Sequence, residues 1–410
     1  MSQQITIESD LPERSPMARV RVLFYLFFPS SGIARYTHEQ LKSLNRFDDL
    51  DLELACLESY DWADEATYRI WPHLRGIAHR RPWRRRVRFL TAQLINPRRA
   101  CRRARAVGVD IMHFANINHL TFPFWRPALN GSRAKVVATV HDVRRQKAMV
   151  NRRYEDQQLR NFYRRADALF VHGQNQVDEL DAFAGVEPSR VHVVPHGLLD
   201  YGPSVNEPAT LRSRFGLPLE KQVALFFGNI RDEKNLDLML RALAGFRSSL
   251  HLLVAGRDGA KGQKTLDYYQ SLAKELGVQD CVTFLSGYLP DERVPELFSV
   301  ADWVALPYSR RFTSQSGVLN VAVQYQRAVV ISAAPTFEET IRVCDVGVLV
   351  APDDLGSLEK GIREMCTRIE QGHEHQFDKY HRMFGWEENA RRTRAVYQRL
   401  LAEPTGPRTP

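Results

Sequence analysis

The sequence has few cysteines, no long apolar run and, over one arginine-rich stretch, no acidic residue. Its five cysteines form no CxxC pair, which excludes a disulfide framework and a zinc ribbon and favours a reducing compartment. The longest early apolar run, Val22 to Phe28, is far shorter than the roughly 20 residues that span a bilayer. Residues 1–18 lack the basic start and apolar core of a signal peptide, and we expect a disordered lead-in there. These absences predict a cytoplasmic protein that is soluble or peripherally attached to a membrane.

The excess positive charge of the chain lies in its first half. The net charge is +9, and residues 1–200 hold 31 Lys+Arg against 22 Asp+Glu, whereas residues 201–410 hold 26 of each. Residues 66–109 contain thirteen arginines and no acidic residue. Such a segment favours an anionic partner, although solvated helix faces in an arginine-rich chain would give the same pattern. No nucleic-acid-binding signature accompanies the charge, so we expect no nucleic-acid partner.

Short β-branched or aromatic runs alternate with amphipathic segments along nearly the whole chain, which predicts an α/β fold of doubly wound parallel sheets. The alternation starts again after the Pro- and Gly-rich stretch 195–208, so we place a domain boundary near residue 200. Two Rossmann-like domains, 19–200 and 201–385, are expected to face an interdomain cleft where ligands bind. A last helix is predicted over 386–402, crossing back to the first domain, before a tail at 403–410.

The predicted elements follow from these runs and from their spacing. Strands are predicted near 20–28, 51–57, 111–115, 136–140, 169–172, 191–194, 223–227, 250–255, 282–285, 303–306, 329–332 and 348–350. Helices of the second domain are predicted near 236–246, 266–276, 292–298, 316–326 and 358–370. Candidate ligand-binding residues should then lie in the loops that follow strands.

Two candidate loops follow strands of the first domain. Ser31 and Gly32 open a helix after the first strand, where exposed backbone N–H groups suit an anionic or polar ligand. There is no GxGxxG fingerprint, and an ordinary tight turn would have the same sequence. His141 and Asp142 follow a later apolar strand, where they could bond a sugar hydroxyl or orient a reacting group. A buried structural histidine is equally compatible with that pattern.

The second domain offers the more informative loops. Its first strand ends at Gly228 and Asn229, and Arg231 and Lys234 precede the next helix, so both cations would point into the cleft. Two fixed positive charges there would stabilise a departing diphosphate; solvated surface charge is the alternative. A later strand is followed by a hydroxyl-rich loop that offers a neutral cradle for phosphate oxygens, or simply a helix N-cap. That loop comprises Thr313, Ser314, Gln315, Ser316, Gly317 and Val318.

In this order the loops resemble those of the GT-B-fold glycosyltransferases of the large retaining family 4, and the resemblance covers nearly the whole chain. It implies that the Ser31 loop lies near the reacting sugar, that His141 approaches the donor sugar, and that Arg231 and Lys234 hold the donor diphosphate. VHVVPHG and WEENARRTRAVYQRLL are similar to the linker entry and last helix of the family. The resemblance also implies a UDP- or GDP-sugar donor, retention of anomeric configuration, and no obligatory metal or other cofactor.

The chain departs from the family pattern in two places. Many members have arginine directly after the glycine, where this chain has Asn229, so we assign that role to Arg231. The pair of glutamates of the family would fall on Thr313 and Val321, and both carboxylates are missing, as in a subset of bacterial members that the TSQSGV segment resembles. Recognition of the nucleoside must therefore differ. Candidate replacements are Asn320 and, in a loop predicted at Pro335–Thr340, Glu338 and Glu339.

In the family that the chain resembles, the first domain binds the acceptor, and the arginine excess lies there. Between residues 80 and 105, arginines alternate with apolar side chains, a mixture suited to an anionic membrane surface. We therefore expect a glycan or lipid-linked acceptor, as in bacterial cell-surface polysaccharide or glycolipid assembly, and attachment at the inner face of the plasma membrane. The candidate contacts are Arg81, Arg84, Arg85 and Arg88. Two alternatives stay open: a nucleotide-sugar epimerase of the same fold, and a catalytically silent glycosyltransferase-like subunit.

Overall fold

The structure is a computed structural model, and it describes residues 19–130, 132–145, 148–257, 262–287, 289–312 and 316–402. Its strands form two parallel sheets, one of seven strands and one of six, which confirms the predicted α/β class. Contacts divide the chain into two compact units. The first holds residues up to 139, residues 148–169 and residues from 394, and the second holds 170–393 with the short segment that follows residue 139. The boundary near residue 200 stays a prediction.

The first sheet is built from hydrophobic strands that helices cover. Its strands are β1 (Val20–Tyr25), β2 (Leu50–Leu57), β3 (Arg69–Leu74), β4 (Ile111–Phe114), β5 (Lys135–Thr139), β6 (Ala168–Val171) and β7 (Val191–Val193). The helices of this half are α1 (Gly32–Leu44), α2 (Pro82–Val107), α3 (Phe122–Trp125), α4 (Arg152–Arg165) and α5 (Gln174–Ala184). The strand order is β3-β2-β1-β4-β5-β6-β7. The order therefore reverses between β1 and β4, as in other doubly wound sheets.

The second sheet repeats this plan. Its strands are β8 (Gln222–Phe227), β9 (Leu250–Gly256), β10 (Val282–Ser286), β11 (Trp303–Leu306), β12 (Ala328–Ser332) and β13 (Gly347–Val350), in the order β10-β9-β8-β11-β12-β13. The helices are α6 (Pro208–Arg214), α7 (Leu236–Leu243), α8 (Leu266–Glu275), α9 (Val294–Val300), α10 (Gly317–Gln324), α11 (Pro335–Val343), α12 (Leu355–Glu370), α13 (Phe377–Phe384) and α14 (Trp386–Ala402). The strand order here reverses between β8 and β11.

Each face of the second sheet packs into its own apolar core, because successive strand residues point to opposite faces. On β8, Leu225 joins one core and its neighbour Phe226 joins the other, and both are almost fully buried. On β11, Val304 and Trp303 divide in the same way. The buried sheet is a rigid support for the loops at its carboxyl edge.

The predicted last helix is present as α14, and its two ends belong to different units. At its start the Trp386 Nε1–H donates to the carbonyl oxygen of Leu198 at 2.5 Å. The indole ring also explains Gly197, whose φ is 79°, since a Cβ there would lie 2.3 Å from the ring. Further along, Arg394 donates to both carboxylate oxygens of Asp49 at 2.9 Å. Backbone fit and ion pairing therefore fix this helix at its start and at its middle.

All twelve predicted strands are present, with ends shifted by up to three residues, but some elements were missed. β3 escaped prediction because its sequence, RIWPHL, contains a proline and mostly polar or half-exposed side chains, which an edge strand tolerates. The segment 335–340 was predicted as a loop, and that was wrong. It opens α11, and its proline occupies the first helical position.

Candidate functional site

The candidate loops of the second unit flank the point where its strand order reverses, between β8 and β11. Ligands of open α/β sheets bind at such points, beyond the carboxyl ends of the strands. The loop after β8 and the loop after β11 are joined to each other, because the Ser309 N–H donates to the carbonyl oxygen of Glu233 at 2.9 Å. Of the predicted hydroxyl cradle, Thr313, Ser314 and Gln315 lie outside the described residues.

Lys234 is buried beneath the end of β8 rather than exposed on the surface. Lys234 is only 6% exposed, and its Nζ donates to the carbonyl oxygen of Phe227 at 2.9 Å. Burial, with a smaller contribution from the Arg231 charge, lowers the pKa of Lys234 to about 7. A buried ammonium with this pKa lacks a full counter-charge, so an anion beside it would be bound strongly.

Arg231 is half-buried beside Lys234. Its guanidinium pairs with the Glu233 carboxylate at 3.1 Å and lies 5.9 Å from the centroid of the Phe312 ring. Partial desolvation and the contact with the aromatic ring hold the guanidinium in place while part of it stays accessible. The two predicted cations are therefore brought together on one loop, and neither is an ordinary surface charge.

Gly228 is the residue that lets these groups converge. Its φ is 93°, which side-chain-bearing residues rarely adopt. A Cβ at this position would lie 3.0 Å from the Lys234 Nζ and 3.7 Å from a methyl group of Val318. The backbone at the end of β8 thus contacts both the buried lysine and the first turn of α10. Its neighbour Asn229 is exposed.

The first turn of α10 is held by a buried hydroxyl pair. The Ser316 Oγ accepts from the Leu319 N–H at 3.2 Å and lies 2.9 Å from the Tyr308 hydroxyl. The Tyr308 ring stacks on Phe312, with centroids 4.1 Å apart. Ser316 is therefore the helix N-cap, and Gly317 and Val318 follow it with their backbone N–H groups at the positive end of the helix.

Asp353 ties the two loops together from the turn after β13. One carboxylate oxygen accepts from the Asn235 side-chain amide at 2.8 Å, and the other accepts from the Arg310 backbone N–H at 3.0 Å. Both Asn235 and Asp353 have positive φ, 55° and 60°. This clamp was not predicted, because Asp353 lies more than one hundred residues from Asn235, and only the fold brings it there.

Two of the residues predicted to replace the missing glutamates, Asn320 and Glu338, already have side-chain partners, and the side chain of Glu339 lies outside the described part of the structure. Asn320 is buried; its side-chain oxygen accepts from the Tyr380 hydroxyl at 2.9 Å, and its amide nitrogen lies 3.3 Å from His196 Nδ1. Glu338 accepts from Arg342 one helical turn later on α11 at 2.5 Å. The Val321 side chain is buried. The arrangement therefore favours a structural role for Asn320.

His141 lies in a cluster of three histidines of the second unit, with His172 and His196. The His172 Nε2 lies 3.1 Å from the His141 Nδ1, and the His172 and His196 ring centroids are 5.0 Å apart. Burial lowers the pKa of His196 to about 4 and the pKa of His172 well below its usual value. His172 and His196 are therefore neutral at pH 7. Sequence reasoning found only His141, although the other two also directly follow strands or enter the linker.

Hydrogen bonding fixes the orientation of the His141 ring. The His172 Nδ1 lies 3.0 Å from the Val194 carbonyl oxygen, so it carries the proton and donates. The neutral His172 Nε2 must then accept from His141 Nδ1–H. Gln176 holds both backbones, since its side chain accepts from the His172 N–H at 2.7 Å and donates to the His141 carbonyl at 2.9 Å. A neutral His141 consequently has its lone pair on Nε2.

The other predicted site residues of the first half are exposed. Asp142 is exposed, whereas its neighbour His141 is part of the histidine cluster. Ser31 caps α1, with its Oγ accepting from the Ala34 N–H at 3.1 Å, and nothing lies within 4 Å of a Cβ placed on Gly32. The start of α1 is therefore open, as a ligand-binding turn requires.

The arginine-rich segment includes β3 and α2, and the first turns of α2 are exposed. Trp83, Val87 and Leu90 are each more than half exposed. They recur at helical spacing along one stripe. The predicted contacts Arg81, Arg84, Arg85 and Arg88 are exposed around them. Among the described residues, no helix combines the length and the apolar character needed to cross a membrane.

The two parallel-sheet units define the class of the protein: it has the GT-B architecture of glycosyltransferases. Residues 30–198 match the family described as Glycosyltransferase Family 4, and residues 209–383 match the family described as Glycosyl transferases group 1. The chain therefore belongs to the GT-B glycosyltransferases that join these two domains. These matches confirm the predicted GT-B glycosyltransferase, and retention of configuration stays a prediction.

Known relatives agree with this assignment. The D-inositol 3-phosphate glycosyltransferase of Mycobacteroides abscessus is 30% identical over 249 residues, which cover 60% of this chain and 54% of that protein. The chain thus spans about half the length of the curated relatives it matches. A glycosyltransferase from Rickettsia africae has a TM-score of 0.71 at 14% identity, covering 94% of this chain and 100% of its own. Anabaena Alr3699/HepE, solved with UDP and glucose, has a TM-score of 0.70 at 16% identity, with 93% and 100% covered.

Proposed function

We propose that this protein transfers a sugar, with retention of configuration, from a UDP- or GDP-sugar to a glycan or lipid-linked acceptor in bacterial cell-surface polysaccharide or glycolipid assembly. The observation that carries the proposal is the convergence of the buried Lys234, the half-buried Arg231 and the first turn of α10 at Gly228. Two cations and the first backbone N–H groups of a helix near one point are the groups that bind a diphosphate.

The same groups supply the catalysis. As the bond between the sugar carbon and the diphosphate breaks, negative charge grows on the leaving phosphate. Lys234 and Arg231 are already in place, so they stabilise that charge more in the transition state than in the ground state. In the proposed step, the acceptor oxygen bonds to the same face of the sugar carbon, and its proton passes to the departing phosphate. Because the chain supplies both cations, we propose that this step has no obligatory metal.

His141 is proposed to position the donor sugar. Its Nδ1–H donates to His172, so Nε2 is free of a proton and accepts a hydrogen bond from a sugar hydroxyl. Neutral neighbours keep a positive charge away from that nitrogen. The glycosyltransferase name of the Mycobacteroides relative and the UDP and glucose bound by the Anabaena protein support sugar transfer from a nucleotide-sugar donor.

The function is tested by thermal-shift measurements with UDP, GDP, ADP and their sugars, followed by mass analysis of the product formed from the best donor. Transfer predicts an acceptor heavier by one sugar and release of the nucleoside diphosphate. An epimerase would instead convert the donor without lengthening an acceptor. A catalytically silent subunit, which the missing carboxylates at Thr313 and Val321 favour, would give no product with any donor.

The pKa of Lys234 predicts that donor binding takes up a proton. Near pH 8 the free protein holds Lys234 mostly neutral, because its pKa is about 7. A bound diphosphate raises that pKa, so nucleotide affinity should fall by up to about tenfold per pH unit above pH 7 and level off below it. Titration calorimetry of UDP and GDP in buffers of different ionisation enthalpy measures the uptake. The Lys234→Met substitution should abolish this proton uptake. Nucleotide binding by the wild-type protein at pH 8 without proton uptake would contradict the prediction.

We also propose that the first turns of α2 contact an anionic membrane surface at the inner face of the plasma membrane. Trp83, Val87 and Leu90 would insert at the headgroup boundary, and the neighbouring arginines would bind lipid phosphates. Exposed apolar side chains without a covering element are otherwise unfavourable in water.

Removing the apolar stripe should release the protein from vesicles. In flotation with anionic vesicles at low salt, the double variant Trp83→Ser and Leu90→Ser is expected to lose most of its bound fraction, because the arginines alone give a salt-sensitive attraction. Leu219→Ser, at an equally exposed leucine of the second unit, should float like wild type. If the wild-type protein stays unbound at low salt, the membrane contact does not exist.

A further inference from the structure

Two histidines and one aspartate form a cluster at the end of the second sheet opposite to the loops described above. Asp345 directly precedes β13, and His373 and His375 lie in the connection between α12 and α13. One side-chain ligand atom from each residue lies within 4.8 Å of the other two. In a tetrahedral zinc site with bonds of about 2.1 Å, ligand atoms are about 3.4 Å apart. Small rotations of these side chains would bring them to that spacing.

His375 is the unusual member of the cluster. Its side chain is only 5% exposed. Both of its ring nitrogens are buried, and within the described part of the chain neither has a hydrogen-bond partner. The nearest charged oxygen, Asp345 Oδ1, is 3.7 Å from Nδ1, which is too far for a hydrogen bond. A buried imidazole without a hydrogen-bond partner lowers the stability of the folded protein. A bound ion would give the ring a partner and remove this loss of stability.

The other two side chains are hydrogen-bonded to each other, and a bound ion would replace that hydrogen bond. The His373 Nε2 lies 2.7 Å from Asp345 Oδ2, and the other oxygen of that carboxylate accepts from Arg368 at 2.9 Å. Hydrogen bonds to the far oxygen of a ligating carboxylate are typical of the outer partners that orient metal sites.

We propose that Asp345, His373 and His375 bind a divalent transition metal of the zinc class. Two imidazoles and one carboxylate are a donor set that zinc accepts, with a fourth position left for water. Both histidines line a surface cavity of about 700 Å³, which gives an ion a path to the site. Since the cluster lies at the edge of the sheet away from Lys234, the ion has a structural role.

The proposed ion would fasten the α12–α13 connection to the start of β13. The next helix, α13, carries Tyr380, whose hydroxyl donates to the buried Asn320 at 2.9 Å. Asn320 in turn lies beside His196 of the histidine cluster. Metal binding is therefore expected to raise the melting temperature of the protein, because it stabilises only the folded form.

The test uses the full chain without an affinity tag, titrated with zinc chloride by calorimetry and with cobalt chloride by visible absorption. We expect one ion per chain, a cobalt band typical of nitrogen ligation, and a rise in melting temperature with zinc. His375→Gln and His373→Gln should each weaken zinc binding by at least about tenfold, since even the outer partners of metal ligands are worth about 10–100-fold. Glu374→Gln is the matched control, because this exposed residue lies between the two histidines and is not in the cluster.

Two results would overturn the proposal. One is a wild-type chain that binds neither zinc nor cobalt at neutral pH. The other is binding that both histidine variants retain at wild-type strength, which would place the ion elsewhere. Circular dichroism compares each variant with wild type and so identifies a variant that does not fold. In that case the other histidine variant and the cobalt spectrum of the wild-type protein test the metal site.

Discussion

Replacing Lys234 by methionine is expected to lower the turnover of the proposed transfer by on the order of a hundredfold or more, since groups that stabilise developing charge contribute that much. Methionine fills a similar volume, so the buried pocket under Phe227 should stay packed, while the charge and the hydrogen bond to the Phe227 carbonyl oxygen are lost. The measurement is initial rate against donor concentration with the best donor of the screen. The loss should fall on kcat as well as on donor affinity, because Lys234 contacts the bound diphosphate and the charge on the leaving phosphate grows in the transition state.

The control for this variant is Lys360→Met, on the exposed face of α12. It removes the same charge from the same unit and should leave the rate unchanged. If Lys234→Met also retains the wild-type rate while folded, then Lys234 takes no part in the reaction, and the diphosphate must be stabilised by other groups.

The second large effect is expected at Gly228. An alanine there must adopt a φ near 93° and places its Cβ 3.0 Å from the Lys234 Nζ. The backbone strain alone costs about 1–3 kcal/mol, and relief of the clash would move the ammonium away from the anion site. We expect Gly228→Ala to weaken nucleoside diphosphate binding by at least about tenfold, since roughly 1.4 kcal/mol is a factor of ten.

Gly245→Ala is the matched control for this substitution. Gly245 lies in the same unit, has no positive φ, and would place a Cβ in ordinary contact, 3.7 Å from the Ala242 carbonyl oxygen. Calorimetry with UDP and GDP compares the two alanine variants with wild type. Equal affinity in all three proteins would show that the turn at Gly228 does not shape the diphosphate site.

The sequence predicts the α/β class and the strands well because parallel strands buried on both faces are continuous apolar runs. Residues 303–306 are an example, since the predicted and observed strand coincide. β3 lacks that signal. It lies at the edge of the first sheet, where a proline and exposed side chains are tolerated, so its pattern resembles a loop. α11 was missed for a related reason, because proline suits both a turn and the first position of a helix.

The candidate site was predicted only in part. Arg231 and Lys234 could be found because they are close in sequence and follow a strand that ends in glycine. Burial of Lys234 could not be predicted, since it depends on the way the side chain turns back under Phe227. Asp353 and Gln176 hold the site loops from distant parts of the chain, and short-range patterns contain no information about such contacts.

The Asp345 cluster could not be predicted from the sequence either. His373 and His375 are separated by one residue, which alone is a weak metal signal, and Asp345 is 28 residues earlier than His373. Only the packing of α12 against β13 brings the carboxylate to the two rings. The exposed stripe on α2 was easier to predict from the sequence, because its apolar and arginine residues alternate within a single helix.

The most direct test is a crystal structure of the protein with the nucleoside diphosphate that stabilises it best. We predict diphosphate oxygens within about 3.2 Å of the Lys234 Nζ and the Arg231 guanidinium, and beside the backbone N–H groups of Gly317 and Val318. A diphosphate bound elsewhere on the chain, with Lys234 still bonded only to the Phe227 carbonyl, would contradict the account.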